Sequence, residues 1–324
     1  MKRRQFLFSA ASMLAASGLH AQTPRLRRVA IAIPFAPETS PEGIAAFIKR
    51  MAELGWVEGR DLQYVYAYAN GDPKRYEPVI AELLAQKPDV LYAYFQPMTQ
   101  IAQRLTKEVP IVFSIVSNPE KIGLVASLAR PGANVTGVST RYFELDGKRI
   151  ELMREIKPGI RRAAVLGSSS TPETNRRVVE GYEKVASKFE MRILLAEAGS
   201  TEEIGPAFDR MVGEKAQGLL GTAGNGGQSR TAIVSHAARV RLPAVYVDER
   251  YVEAGGLASY GTDNVDLQRR GAVYVDKILR GAKPADLPVE EPTNYRMALN
   301  LKTAKTLGIK FPQSVLIRAD RVIE

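Results

Sequence analysis

The sequence predicts an α/β protein of two similar lobes, each a mostly parallel sheet with helices on both faces. Short, continuous apolar runs alternate with stretches whose apolar residues recur at helical spacing. Strands that are apolar along their whole length are typical of parallel sheets covered on both faces. The same order of elements then recurs further along the chain, which favours two lobes over one large sheet.

The first half of the chain starts with an apolar strand at 28–34 and a helix at 41–54. That helix carries an apolar stripe, which comprises Ile44, Phe47, Ile48, Met51 and Leu54. The elements predicted next are a strand at 61–68, a helix at 73–86, a strand at 89–95, a helix at 97–107 and a strand at 110–116. This alternation predicts a first parallel sheet.

The second half repeats this order. Its predicted elements are a strand at 162–168, a helix at 173–189, a strand at 191–196, a helix at 201–213, a strand at 215–220, a helix at 230–240 and a strand at 242–246. A strand at 255–261, a helix at 264–280, a proline-rich connector, a strand at 294–300 and a short helix at 301–307 complete the chain. We therefore predict lobe 1 at 26–141, lobe 2 at 142–262, and a C-terminal segment at 263–324 that returns to lobe 1.

The N-terminus has the three-part layout of a secretory signal. Lys2, Arg3 and Arg4 precede a short apolar run at 6–19, and Ala21 with Gln22 offers a cleavage site. The run is too short to span a bilayer stably. We predict that residues 1–21 are a signal peptide that directs the protein to the periplasm. The string from Arg3 to Leu7 also fits a twin-arginine signal, so that route and the general route both stay open.

Composition excludes several classes of protein. The chain has no cysteine, which removes a lipid-modified anchor, disulfides and thiolate metal sites. We therefore expect a soluble rather than a tethered protein, and a monomer. The formal net charge of +10 includes +3 from the three basic residues of the signal, which leaves +7. The basic residues are interspersed with 35 acidic ones and form no stripe with aromatics, so we expect no nucleic-acid partner.

Catalytic motifs are missing from the sequence. His20 lies in the signal, which makes His236 the one histidine of the mature chain. No histidine or carboxylate cluster has metal-ligand spacing, and we expect neither a metal nor a cofactor. The serines at 168–170 lack a nucleophile elbow, and the glycine-rich stretch at 221–227 lacks both Rossmann spacing and the lysine of a phosphate loop. We predict that the protein is not an enzyme.

Polar and aromatic residues follow the predicted parallel strands, where open α/β sheets present their ligand-binding loops. Two lobes whose binding edges face each other form a cleft that can close on a solute. The candidate ligand-binding residues are Tyr94, Phe95, Gln96, Ser117, Asn118, Ser139 and Thr140 in lobe 1, and Ser169, Ser170, Thr171, Gly224, Asn225 and Asp248 in lobe 2.

Several blocks resemble one known family. The stretch at 54–62, the stretch at 110–119, the block Gly-Leu-Val-Ala-Ser-Leu-Ala-Arg-Pro-Gly-Ala-Asn-Val-Thr-Gly at 123–137, and the blocks at 255–261 and 292–308 are similar to ABC transporter substrate-binding proteins of the tryptophan type. The resemblance implies a periplasmic-binding-protein-like fold of type I with a cleft between the lobes. It also implies a permease and an ATPase as partners and, in some members, an aromatic amino acid as the ligand.

The sequence departs from that family at one important point. Asn118 stands where the family has aspartate, so a carboxylate that would pair with a ligand ammonium is missing there. The loop at 95–98 also lacks the small residues of the family. Asp248 or Glu249 could accept the ammonium instead, and Tyr94, Phe95 and Tyr142 could stack on a ring. An uncharged or anionic ligand stays open.

Two other functions remain compatible with this architecture. A sensory binding protein would present its ligand to a membrane receptor kinase, and a kinase gene beside its own would favour that function over import. An exported enzyme on the same scaffold would need a poised acid or base in the cleft, and the sequence offers none.

Overall fold

The computed structural model describes residues 25–37, 41–169, 172–222 and 229–324, and within them the chain forms two separate, mainly parallel sheets. The strands are β1 (Arg27–Ile33), β2 (Leu62–Tyr68), β3 (Val90–Ala93), β4 (Ile111–Ser117), β5 (Val135–Thr140), β6 (Arg162–Gly167), β7 (Arg192–Glu197), β8 (Gly218–Thr222), β9 (Ala244–Tyr246), β10 (Ala258–Thr262), β11 (Tyr295–Asn300) and β12 (Arg321–Ile323). The predicted signal at 1–21 lies outside the described residues.

Helices cover both faces of each sheet. They are α1 (Pro41–Glu53), α2 (Tyr76–Ala85), α3 (Gln96–Leu105), α4 (Asp146–Ile156), α5 (Pro172–Ala186), α6 (Ile204–Gly213), α7 (Arg230–Arg239), α8 (Glu249–Glu253), α9 (Asn264–Leu279), α10 (Leu301–Leu307) and α11 (Gln313–Arg318). The α/β fold class with two lobes, which the sequence predicts, is confirmed.

The first sheet has the order β2-β1-β3-β4-β5, and all its strands are parallel. Alternate residues of β1 point to opposite faces. Ile31 packs with Phe47 of α1 on one face, and Ala30 packs with Ile80 and Leu83 of α2 on the other. Both faces are buried, which explains why β1 is apolar at every central position.

The second sheet has the order β12-β11-β10-β9-β8-β6-β7, with one antiparallel pair between β10 and β11. Val165 of β6 packs with Met153 of α4 on one face, and Leu166 packs with Phe208 of α6 on the other. The second core is therefore built like the first, from a strand covered on both sides.

The C-terminal segment at 263–324 is divided between the two sheets. Its helix α9 packs on the first sheet, where Leu267 and Val275 join the core. Gln268 is fully buried and accepts a hydrogen bond from the Tyr92 hydroxyl. The strands β11 and β12 instead extend the second sheet. The segment thus contacts both sheets, since the connector at 287–290 also packs on the first sheet, where Val289 joins the core and Glu290 pairs with Val138 of β5.

The sequence analysis missed the strands β5 and β12 and the helices α4, α8 and α11. The helix α4 was not predicted because two of its buried residues, Asp146 and Arg149, are charged and interrupt the apolar stripe. The strand β5 consists of small and hydroxyl-bearing residues. Its Gly137 is required by a close approach, since a Cβ there would lie 2.2 Å from the carbonyl oxygen of Phe113.

Within the described residues the chain passes between the sheets three times, after β5, after β10 and before β11. Arg149 is 1% exposed, and its side chain forms hydrogen bonds with residues at two of these crossings. Its guanidinium donates to the carbonyl oxygens of Tyr142 (3.0 Å) and Tyr260 (2.9 Å), and pairs with Asp146 at 2.9 Å. At the third crossing the amide of Ser139 donates to the carbonyl of Glu290 at 2.8 Å.

At pH 8, where Asp146 is ionised, we expect Arg149→Met to lower the free energy of unfolding by about 3–5 kcal/mol, because it removes the cation beside the buried Asp146 and the donor to the carbonyls of Tyr142 and Tyr260. Urea denaturation followed by circular dichroism measures the change. Lys148→Met is the control, since that neighbouring lysine is 60% exposed and pairs on the surface with Glu151; its effect should stay within about 1 kcal/mol. Equal effects of the two substitutions would contradict the structural role of Arg149.

Candidate functional site

The carboxyl end of the first sheet carries a wall of aromatic rings. Phe35, which follows β1, contacts Tyr94 edge-on with ring centroids 6.1 Å apart. Phe95 lies 6.4 Å from the same ring of Phe35 and occupies the position before the first turn of α3. Tyr94 is buried, whereas Phe35 and Phe95 are half-buried. The two exposed ring surfaces can stack on a planar apolar group.

Hydroxyl groups lie beside this wall, at the ends of β4 and β5. The side-chain oxygens of Ser117 and Thr140 are 2.7 Å apart, close enough for a hydrogen bond in which either can donate. The pair keeps one hydroxyl proton for a further acceptor. Ser139 differs, because its hydroxyl donates to the carbonyl of Val116 at 3.0 Å and so secures the strand end.

Two other residues predicted for lobe 1 also lie at this edge. Gln96 is the first residue of α3 and is half-buried. Asn118 follows β4 with a left-handed backbone (φ 50°), and its carbonyl accepts from the amide of Ile122. The amide side chain suits this conformation better than most residues do. The structure thus brings the lobe 1 candidates to one edge of the sheet.

Asp248 and Arg250 form the charged part of the facing edge in lobe 2. The carboxylate of Asp248 caps α8 and accepts from the guanidinium of Arg250 in a two-pronged contact of 3.0 and 2.9 Å. Burial opposes the charge of Arg250, but the charge of Asp248 and its hydrogen bonds raise the pKa of Arg250 overall, with a smaller effect of Tyr94. Glu42 of lobe 1 lines a small cavity together with both residues. The two lobes therefore meet at this pair.

Asp248 and Glu249 were the candidates for binding an ammonium. The carboxylate of Asp248 is already paired with Arg250. Glu249 faces Arg296 at 3.6 Å, and burial raises its pKa although Arg296 lowers it in part. Both acidic groups thus have arginine partners, so a ligand ammonium at either would have to share the carboxylate.

A buried polar cluster lies beneath the lobe 2 edge, next to the end of β8. The hydroxyls of Tyr182 and Tyr142 both lie next to Gly221, since a Cβ added at this glycine would be 2.8 Å from the first and 3.7 Å from the second. The guanidinium of Arg149 lies over the Tyr142 ring, 4.8 Å from its centroid. Burial raises the pKa of Asp146 to about 7, and the charge of the neighbouring Arg149 lowers it only in part.

Sequence reasoning missed Arg230 and Tyr251. Arg230 is the first residue of α7, and its guanidinium lies 5.8 Å from the centroid of the Tyr251 ring. An arginine in a helix usually marks a solvated face, so only its position after the glycine-rich stretch at 221–227 of the sequence could have singled it out. Tyr251 is buried against Tyr246, with stacked rings 4.7 Å apart.

The remaining lobe 2 candidates do not form a group in the described residues. Ser169 is exposed after β6. Ser170, Thr171, Gly224 and Asn225 lie outside the described residues, and they stay predictions.

The chemistry of this site is that of recognition. Aromatic rings, hydroxyls and arginine groups meet between two sheet edges. No group of three potential metal-ligating side chains occurs among the residues that the structure describes. Each helix in the described residues is too short or too polar to cross a bilayer.

Comparison with known proteins gives consistent matches. Residues 28–323 match the model of a family described as ABC transporter substrate binding protein. A tyrosine-binding protein from Clostridioides difficile strain R20291 is 28% identical over 266 residues, which cover 82% of this chain and 76% of that protein. A conserved domain protein from Vibrio cholerae is 26% identical with a TM-score of 0.85, and covers 92% of this chain and 100% of its own.

One further solved structure contains a ligand. It is described as an ABC domain from Streptococcus pneumoniae in complex with L-Trp. It is 26% identical, has a TM-score of 0.84, and the match covers 92% of this chain and 100% of that one. The superposition therefore includes both lobes.

Asp146 should make stability depend on pH. The folded protein keeps this proton up to about pH 7, whereas the unfolded chain releases it near its ordinary pKa of about 4. The unfolded state thus binds fewer protons between these values, and the free energy of unfolding falls as the pH rises.

Urea denaturation at pH 5 and pH 8 measures this dependence. Relative to Asp146→Asn, the wild type should lose about 2.5–3 kcal/mol of stability between the two pH values, because the two states differ in bound protons from pH 5 up to the folded pKa of about 7. Asp209→Asn, which changes a carboxylate that is 62% exposed, should leave the dependence as in the wild type. The same dependence in Asp146→Asn would contradict the assignment.

Proposed function

The chain belongs to the family of ABC transporter substrate binding proteins and binds a small solute, and from this premise we propose that the solute is an aromatic amino acid held between the two lobes. The observation that carries the proposal is the aromatic wall of Phe35, Tyr94 and Phe95 at the lobe 1 edge of the cleft. Such rings are suited to stacking on a phenol or indole ring.

The relatives support this choice of ligand class. One is described as a tyrosine-binding protein, and another was solved in complex with L-Trp. The Ser117–Thr140 hydroxyl pair would bind the polar end of the amino acid from lobe 1. Asn118 would contribute an amide oxygen where its family has a carboxylate, so the ammonium would be held by a neutral acceptor or would share Asp248 with Arg250.

The two lobes would work as a hinge. A ligand that contacts both binding edges stabilises the closed form in proportion to its preference for that form. The crossings after β5 and β10 would carry the rotation, since they join the lobes near the cleft. We propose that the closed form delivers the ligand to an ABC permease and its ATPase.

We further propose that the protein acts in the periplasm as a monomer after removal of residues 1–21, and that it catalyses no reaction. The domain limits of 26–141 and 142–262 describe the lobes in this proposal, with 263–324 joining them. The acidic side chains Asp248 and Glu249 at the site have arginine partners, which fits recognition better than proton transfer.

A thermal-shift screen of residues 22–324 tests the ligand class. L-tryptophan, L-tyrosine or L-phenylalanine at a hundredfold excess over its Kd should add about 2.7 kcal/mol of stability and raise the Tm by a few degrees. Sugars, nucleosides and small carboxylates should not shift it. A shift by one of those classes alone would contradict an aromatic amino acid as the ligand.

Phe95→Ala should weaken binding of that amino acid about three- to tenfold, because it removes a stacking surface. Isothermal titration calorimetry gives the Kd. Leu105→Ala, at the other end of the same helix α3 and 37% exposed, is the control and should leave the Kd unchanged. An unchanged Kd in Phe95→Ala would remove the aromatic wall from the proposed site.

A further inference from the structure

Arg230 begins the helix α7 at the carboxyl edge of the second sheet. The strand β8 ends at Thr222, and α7 runs from Arg230 to Arg239. The first turn of a helix has free backbone N–H groups, and its macrodipole favours a negative charge there. The positive end of the helix dipole disfavours the cation of Arg230 at this position, unless a bound anion contacts both the guanidinium and the helix N-terminus.

The guanidinium of Arg230 is packed against protein but has unused donors. Among the residues that the structure describes, neither its Nε nor its Nη2 has a hydrogen-bond partner, and both atoms are buried. It lies over the ring of Tyr251, which is 3% exposed. Buried donors of a charged group are costly unless an acceptor satisfies them.

Other arginines of lobe 2 have such acceptors. Arg149 pairs with Asp146 and two backbone carbonyls, and Arg250 pairs with Asp248. Arg239, on the same helix as Arg230, pairs with Asp209 at 2.7 Å. The charge of Asp248 is therefore committed to its own arginine.

Arg230 lies at the same edge of the second sheet as Asp248. The strands β8 and β9 are parallel neighbours in that sheet. Arg230 begins the helix that follows β8, and Asp248 caps the helix α8 that follows β9. Tyr251, over whose ring the Arg230 guanidinium lies, is in α8 itself. Arg230 therefore lies at the carboxyl edge that carries Asp248 and Arg250, and not on a remote surface of the lobe.

We propose that Arg230 is a specificity-determining residue that binds the carboxylate of the amino-acid ligand, an inference that rests on the proposed function. Nε and Nη2 form the side of the guanidinium fork that matches the two oxygens of a carboxylate. The free N–H groups at the start of α7 would add to the attraction. Lobe 1 then selects the ring of the ligand, and lobe 2 selects its acid group.

Isothermal titration calorimetry in mildly acidic buffer tests the inference with two pairs of probes. These are L-tryptophan with L-tryptophanamide, and L-tyrosine with L-tyrosinamide. The amide keeps the ring and the ammonium but replaces the charged carboxylate. The wild type should prefer the acid to its amide by roughly ten- to a hundredfold, the range of a charge-assisted hydrogen bond.

Arg230→Gln should weaken binding of the acid by a similar factor and leave the Kd of the amide nearly unchanged, so that the preference disappears. The comparison forms a double-mutant cycle between the side chain and the ligand group. Arg239→Gln is the matched control on the same helix and should keep the preference of the wild type. Arg230→Lys, which retains the charge but not the fork, should show a reduced preference.

The outcomes separate the two proposals. A wild type that binds the acid but shows no preference over the amide, or an Arg230→Gln variant that keeps the preference, overturns the role of Arg230 alone. A wild type that binds neither acid nor amide overturns the proposed ligand class and the role of Arg230 with it. Should Arg230→Gln fail to fold by circular dichroism, Arg230→Lys and the wild-type preference decide the question.

Discussion

The buried guanidinium of Arg149 is the constraint on which the arrangement of the two lobes depends. It lies where the chain leaves the first lobe and where it returns to it, and it donates to a backbone carbonyl in each segment. A charge without water must be surrounded by acceptors, which are supplied here by Asp146, Tyr142 and Tyr260. These contacts fix the ends of both crossings, and with them the position from which any rotation of the lobes must start.

The site follows from this constraint and from the direction of the strands. In a parallel sheet every strand presents its carboxyl end at the same edge, so the side chains that follow the strands collect there. The crossings place the edge with Phe35 and Tyr94 opposite the edge with Asp248 and Arg250. Neither edge encloses a ligand alone. A ligand must therefore contact both lobes, and a ligand that binds the closed arrangement better shifts the protein toward it.

The polar residues of the cleft are of two kinds, those whose charge is already paired within the protein and those that can still bind a ligand group. Asp248 and Glu249 have arginine partners, and their interactions stabilise the structure around α8. In the part of the chain that the structure describes, the Ser117–Thr140 pair keeps one hydroxyl proton to donate, and two guanidinium nitrogens of Arg230 have no acceptor. A solute with a ring, a polar end and a negative group would use each of these surfaces. Recognition of this kind requires no proton transfer, which agrees with a family of binding proteins.

The sequence by itself determined the fold class and the sheet edge at which the candidate site lies, because continuous apolar strands and the strand-helix order are local properties of the chain. It could not locate α4, whose charged residues are buried only because the crossings surround them. It also proposed Asp248 as a ligand-binding residue and missed Arg230. Which charged groups have partners depends on how the chain folds around them. Only the tertiary structure decided that Asp248 is paired, while among the described residues two nitrogens of Arg230 have no hydrogen-bond partner.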